Sequence, residues 1–222
     1  MTILCGVALI MLDELSKILD FREFASRSQS ILISLAKNKE LILHQLDEVL
    51  LNPILIEKSE CYDFLDKIVI CCDERTGTSI RISQFNERYA NRLHCHRWDY
   101  SAIVLHGQYV QHFYGIEPSD GDITPLRSGV PVFTATFKKG SCYSLHNSVV
   151  HSVEAKPGTI SLCIRGPAVK DRFMTLDPRT GNSWWQYGSK SEAAEERNMK
   201  RYEKKDLALR IKEIQHILME EM

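Results

Sequence analysis

The 222-residue sequence has no surplus of either charge, no cysteine pair at C-x-x-C spacing, no long apolar run, and no internal repeat or low-complexity tract. Each absence excludes something. Lys and Arg number 28 against 29 Asp and Glu, a net charge of −1, so the basic footprint of a dedicated nucleic-acid binder is missing. Without ~18 consecutive apolar residues, no membrane-spanning helix is expected. Without C-x-x-C, neither a structural zinc site nor a thioredoxin-like redox site is expected. The seven cysteines are odd in number and Cys71 adjoins Cys72, so a complete disulfide framework is impossible. Scattered free thiols fit a cytoplasmic location. The opening MTILCGVALIML is apolar, but it lacks a basic lead and runs straight into Asp13 and Glu14 in a helical pattern, unlike a signal peptide.

What is present is an ordinary globular composition, 44% hydrophobic and 26% charged, on a chain long enough for one or two domains. Periodicity divides it into three zones. Residues 1–58 read as a helical segment that packs on the β-rich middle of the chain: Leu12, Leu15, Ile18 and Leu19 share one face, and Ile31, Leu35, Ile42, Leu46 and Val49 form a second helical run that Pro53 ends. Over residues 59–188 the period shortens. DKIVICCDE, SIRISQF, SAIVLHG, QYVQHFYGI, VPVFTATF, SCYSL, VVHSVEA and TISLCIRG are short strands separated by turn residues, with Gly107 marking a tight hairpin. Many short strands at near-regular spacing indicate an antiparallel sandwich or barrel. Residues 189–222 return to helix, with Ser189 and Glu192 as a capping box. The stripe Leu207, Ile211, Ile214 and Leu218 packs on the barrel or forms a homodimer contact, and EERNMKRYEKKD reads as a solvated face.

The chemistry concentrates in RLHCHRWDYSAIVLHGQY. On a strand, His94 and His96 project to one side with Cys95 opposite, so the two imidazoles can take adjacent positions on one metal ion. Ser101 and Gly107 come next, and downstream Gly140 opens a strand before His151 in YSLHNSVVHSVEA.

These residues resemble the cupins, the double-stranded β-helix or jelly-roll family. The first cupin motif is H-x-H, three or four residues, Glu, six residues, Gly; His94, His96 and Gly107 match it, with Ser101 taken at the position of the Glu. His151 fits the metal-binding His of the second motif. The resemblance covers about residues 62–170. It implies a mainly β fold, a single jelly roll flanked by N-terminal helices and a C-terminal helix. With the Glu gone, the implied site is three neutral histidines, similar to the thiol dioxygenases, of which cysteine dioxygenase is the best known. Thiol dioxygenases carry Ser, His and Tyr at alternating positions of the strand that here reads TISLCIRGP; this sequence has Ser161, Cys163 and Arg165 there, keeping the Ser alone. The phrases HRWDYS and LCIRGPAVKDRF are closer to bacterial cupins of undefined substrate, some associated with small-molecule biosynthesis.

The resemblance thus implies Fe(II), or another divalent transition metal, held by His94, His96 and His151, with a small-molecule substrate and O₂ as reactants. Arg165 would face the cavity with Ser161 and Cys163 and meet a carboxylate or phosphate of the substrate; the alternative is an internal ion pair with Glu154 or Asp171. Tyr100, Ser101 and Tyr143 are the candidate catalytic side chains, the tyrosines as hydrogen-bond donors, and Arg92 is expected at the mouth. His146 reads as a rim residue, and His106 and His112 as structural. Trp184, Trp185 and Tyr187 read as a hydrophobic lid over the barrel end. Two other classes stay open: a non-enzymatic small-molecule-binding cupin and a cupin isomerase.

Overall fold

The computed structural model describes residues 3–62, 64–86, 92–188 and 191–220. Four helices come first: α1 (Ile3–Ser16), α2 (Phe21–Lys37), α3 (Lys39–Val49) and α4 (Pro53–Lys58). Twelve strands come after them: β1 (Glu60–Cys61), β2 (Leu65–Cys72), β3 (Ser79–Phe85), β4 (Leu93–His94), β5 (Tyr100–His106), β6 (Gln108–Ile116), β7 (Phe133–Lys138), β8 (Cys142–Leu145), β9 (Val149–Ala155), β10 (Ile160–Arg165), β11 (Arg172–Leu176) and β12 (Ser183–Tyr187). Helices α5 (Ala194–Met199) and α6 (Lys204–Glu220) close the chain.

The run from Ile31 to Val49 is two helices, not one. Asn38 breaks it: its backbone leaves the helical region (φ −112°, ψ 75°), its N–H closes α2 onto the Leu35 carbonyl, and its side chain accepts from Leu41 N to start α3. Pro53 does not end a helix. It sits in the first turn of α4, where its missing N–H costs nothing, behind an Asn52 cap that accepts from Ile54 N and Leu55 N. At the other end, Ser189 of the expected capping box lies outside the described residues; α5 begins at Ala194, and Glu192 pairs instead with Lys200.

The strands form two antiparallel sheets, ordered β1-β2-β3-β10-β5-β8 and β12-β11-β4-β9-β6-β7. The eight strands β3 to β10 alternate between the sheets as β3-β10-β5-β8 facing β4-β9-β6-β7, which is the strand order of a jelly roll: two interleaved Greek keys. The remaining strands lengthen one edge of each sheet. Gly107 makes the β5–β6 hairpin at φ +74°, and a Cβ there would meet Thr159 Oγ1 at 2.7 Å. Trp184, Trp185 and Tyr187 belong to β12, an edge strand paired to β11; Trp184 is in line with Thr175 and His94, and Trp185 lies under the Arg172 guanidinium.

Strand alternation divides the first sheet into two faces. Ile80, Ile82, Ile103, Leu105, Ile160, Leu162 and Ile164 face outward into a core shared with Leu12, Leu32, Leu46 and Leu55 of the helices. The α6 stripe, Leu207, Ile211, Ile214 and Leu218, is buried in that same core, so its apolar surface is covered within the chain. At ~1.5–3 kcal/mol for each fully buried aliphatic side chain, this stripe secures the C-terminal helix. The opposite face, carrying Arg81, Tyr100, Ala102, Ser161, Cys163 and Arg165, lines the barrel by the same alternation. No helix among the described residues is long and apolar enough to cross a membrane.

Candidate metal centre

β4 is two residues long, and its pairing fixes the site. His94 stands opposite Thr175 of β11 on one side and opposite His151 of β9 on the other. Leu93 and Cys95 turn away into a cluster with Ile123, Val150, Met174 and Leu176. His94 and His96 therefore turn into the barrel, the H-x-H period acting as the sequence indicates. Ring centroids lie 5.0 Å apart for His94–His96, 4.5 Å for His94–His151 and 5.1 Å for His96–His151. One nitrogen of each ring lies within 4.8 Å of the other two, with no carboxylate in the group.

Which nitrogen faces inward is set by the neighbours. His94 Nδ1 lies 3.0 Å from the Arg92 carbonyl, and His151 Nδ1 lies 2.9 Å from Gln111 Oε1. Both partners only accept, so both Nδ1 atoms carry the proton and both Nε2 atoms carry a lone pair. The lone pair of His151 Nε2 points at His96 Nε2, 2.9 Å away. Burial lowers the pKa of His94 to about 4 and holds His96 and His151 well below the usual imidazole range; the neighbouring histidines add repulsion for the last two. All three are neutral at pH 7. Convergent neutral imidazoles, with ring orientation fixed from behind, are the donor set of a divalent transition metal. The residues fit the ion.

A ring of aromatics surrounds the triad. Phe113 stacks on His151 at 6.3 Å, Phe173 lies 6.4 and 6.1 Å from His94 and His96, and Tyr100 meets His96 edge-on at 4.7 Å. Burial raises the Tyr100 hydroxyl well above its ordinary pKa, and Tyr143 is raised by the same cause. Both stay protonated and can donate. Tyr143 is 2.7 Å from the Tyr109 hydroxyl.

Ser101 is a correction. Its hydroxyl is fully buried against α2, 2.6 Å from Ser28 Oγ and bonded to Ser144 Oγ, on the face of β5 away from the triad. The pleat decides this: with Tyr100 and Ala102 inside the barrel, Ser101 must point out. The shorter, three-residue spacing of the first motif lands on Tyr100 with six residues to Gly107, and Tyr100 is the side chain that faces His96.

Among the described residues no ion pair joins Arg165 to a carboxylate. Its Nη2 donates to the Gly77 carbonyl at 2.9 Å, its guanidinium lies over Trp98 at 4.4 Å, and burial lowers its pKa to about 10. Cys163 lies with Tyr100, Ala102 and Leu145, and Ser161 is buried two residues earlier on the same face. Arg92 spans Phe64 and Trp184 at 5.4 and 5.5 Å. His146 is partly exposed, bonded to Ser148 Oγ at 2.7 Å and edge-on to Phe21. His112 contacts Thr134 Oγ1 on the outer face of β6.

Sequence reasoning passed over Gln111, which orients His151, and the cluster Cys95–Glu117–Lys170. Cys95 Sγ lies 3.1 Å from Glu117 Oε1, and Lys170 pairs with Glu117 Oε2 while reaching the Asn147 carbonyl at 3.3 Å. This clasp braces the residue between the two histidines from outside the barrel. A lone Gln in a strand, or a lone Glu just past one, carries no motif, so nothing local marked either.

No family model and no curated protein matches the chain. Among solved structures it is similar over 47% of its length to Fe(II)-HppE with the alternative substrate (S)-1-HPP, at 14% identity, 50% of that chain and a TM-score of 0.36. It is similar over 48% to KdgF from Halomonas sp., at 11% identity, 82% of that chain and 0.35. Over 49% it is similar to Streptomyces albus HEPD with 2-hydroxyethylphosphonate and Fe(II) bound, at 14% identity, 22% of that chain and 0.36. The matched region spans half the length of the HppE chain. At these scores the fold assignment rests on the strand order itself, which makes the barrel a cupin-type jelly roll.

Proposed function

We propose that this cupin-fold chain is a non-haem Fe(II)-dependent oxygenase, its metal held by His94, His96 and His151, acting with O₂ on a small anionic or amino-acid-like metabolite. One observation carries the reading: three neutral imidazoles, from β4, the residues just after it and β9, converge, two with Nδ1 tied back so that Nε2 faces the common point. Fe(II) bound there supplies electrons to O₂ and a positive centre beside an anionic substrate, with positions left free by a three-ligand set.

The protein's own groups bind, orient and exclude water. Phe113, Phe173 and the Tyr100 ring form a low-dielectric wall around the imidazoles, which strengthens every charge interaction inside it. Tyr100, protonated and next to His96, donates a hydrogen bond to an oxygen held beside the triad. Tyr143 is held in place by Tyr109. Arg165, unpaired by any carboxylate among the described residues, takes the negative end of the substrate. Dioxygenation of a thiol is one version of this chemistry; oxidation of a biosynthetic intermediate is the other.

Metal analysis of protein purified without added metal, beside His151→Ala, tests the reading. Iron near one per chain that disappears in the variant supports it, and O₂ uptake with a panel of thiol and non-thiol acids then separates the two versions. No iron after anaerobic Fe(II) loading overturns it in favour of a binding cupin. Turnover without O₂ consumption replaces it with an isomerase.

A further inference from the structure

On the barrel wall beside the triad, several buried N–H groups have nothing to bond. Arg81 Nε, Arg165 Nε, Trp98 Nε1 and Gln111 Nε2 are all buried without a hydrogen-bond partner among the described residues. Buried donors left unmade are rare in folded proteins and call for a cause. Arg81, Arg165 and Gln111 lie on barrel-lining strands and Trp98 on the β4–β5 connection; all four atoms are donors, so what is missing is an acceptor.

Three of them form one cluster. Arg81 and Arg165 sit on the paired strands β3 and β10, on the same face and two residues apart in register, since Arg81 is opposite Cys163. Both guanidinium groups lie over the Trp98 ring, at 5.6 and 4.4 Å. Lys67 of the next strand, opposite Ser83, adds a third charge to the same wall. Arg97 lies over the same Trp98 ring at 5.4 Å and adds a fourth cation. Against these stands Glu60, 3.8 Å from Lys67 Nζ; neither Arg81 nor Arg165 has a carboxylate partner among the described residues. A stability-driven interior does not gather two unpaired guanidinium groups, because each desolvated charge is costly without a counter-ion and the pair repel. The Trp98 ring is 6.1 Å from that of His96, so the cluster adjoins the triad.

We propose that Arg81, Arg165 and Trp98, with Lys67 behind them, form a subsite for a doubly charged phosphoryl-type oxyanion, the phosphate or phosphonate group of the substrate. The subsite rests on the proposed reading of the barrel as an enzyme pocket and names the substrate class for it. The cluster carries more positive than negative charge, a surplus that a dianion offsets. Two guanidinium groups with their Nε–H atoms free offer the planar, bidentate recognition that tetrahedral oxyanions accept. The indole N–H adds a donor at the side nearest His96. Anchored there, a small substrate presents the atom next to its head group to the triad.

The test uses chelator-treated protein, so that the probe cannot bind by ligating a metal. Inorganic phosphate, malonate and acetate are titrated at constant ionic strength, read by calorimetry and by melting temperature, with wild type, Arg81→Met, Arg165→Met and the conservative Arg81→Lys. Phosphate is expected to bind wild type and raise its melting temperature, with affinity at least tenfold lower in either Met variant and intermediate in Arg81→Lys. Without phosphate, each Met variant is expected to melt at or above the wild-type temperature, because it removes an uncompensated buried charge. Acetate or malonate binding as tightly as phosphate overturns the dianionic, phosphoryl class. Unchanged phosphate affinity in the Met variants, or Met variants that melt lower and show no phosphate effect, makes the arginines structural and overturns the subsite. Metal content is read on the same preparations before chelation. Iron without phosphate binding leaves the metal centre and removes this subsite, and phosphate binding without iron does the reverse.

Discussion

His94 and His151 face each other across the β4–β9 pairing, register partners with rings 4.5 Å apart, and each has its Nδ1 tied to an oxygen outside the triad. The metal site is thus a property of strand register as much as of residue type. A one-residue slip of β9 would send His151 to the outer face.

The Gln111–His151 hydrogen bond gives the first prediction. Gln111→Leu removes the acceptor that fixes the His151 tautomer, and the metal affinity is expected to fall by ~10–100-fold, as for other supporting partners of ligating histidines. Gln111→Glu restores an acceptor and is expected to recover most of it. Competitive titration against a chromophoric chelator measures both; equal affinity in all three proteins contradicts the orienting role.

Ser101 and Tyr100 should separate cleanly. Ser101→Ala breaks the bonds to Ser28 and Ser144, and is expected to cost about 1 kcal/mol of stability with metal content and O₂ uptake unchanged. Tyr100→Phe keeps the ring packed on His96 and removes only the hydroxyl. Its expected effect is on O₂ uptake at wild-type metal content. A Ser101→Ala variant that lost activity would put the serine back in the pocket.

Breaking the clasp behind Cys95 should be felt in stability. Lys170→Met leaves the largely buried Glu117 carboxylate without its cation and is expected to cost about 3 kcal/mol in urea unfolding. The double variant Lys170→Met with Glu117→Leu is expected to regain much of that loss. A double variant as unstable as the sum of its parts would show that the pair does not act as a unit.

The C-terminal helix should behave as part of the core. Ile214→Ala, at a site with no solvent exposure, is expected to cost roughly 2–5 kcal/mol. Leu209→Ala, on the exposed side of the same helix, is expected to change stability by less than about 0.5 kcal/mol. Similar values for the two would mean that α6 does not pack as described.

Strands such as SIRISQF and TISLCIRG were legible because alternation and turn residues are local signals, and β3 spans the same residues the pattern marks. β1, β11 and β12 were not. β4 has two residues and was marked by its H-x-H spacing alone, and β12 reads as an aromatic patch until β11 is beside it. The split at Asn38 was hidden because the apolar spacing runs through it unbroken; only the backbone turn and the cap reveal it.

The sequence by itself determined the strand-rich middle, the helical flanks and the shared face of His94 and His96, because strand alternation and the H-x-H period act over a few residues; the resemblance to the cupins added His151. Tertiary structure alone decided which side chains meet those histidines. Ser101 went outward and Tyr100 inward by the phase of one pleat, and Gln111, Arg81 and Trp98 reached the site from strands and loops far apart in the chain. Local propensity sets the period of a strand. Its register against its neighbours, which places a side chain in the pocket or behind it, is set by contacts that no stretch of sequence contains.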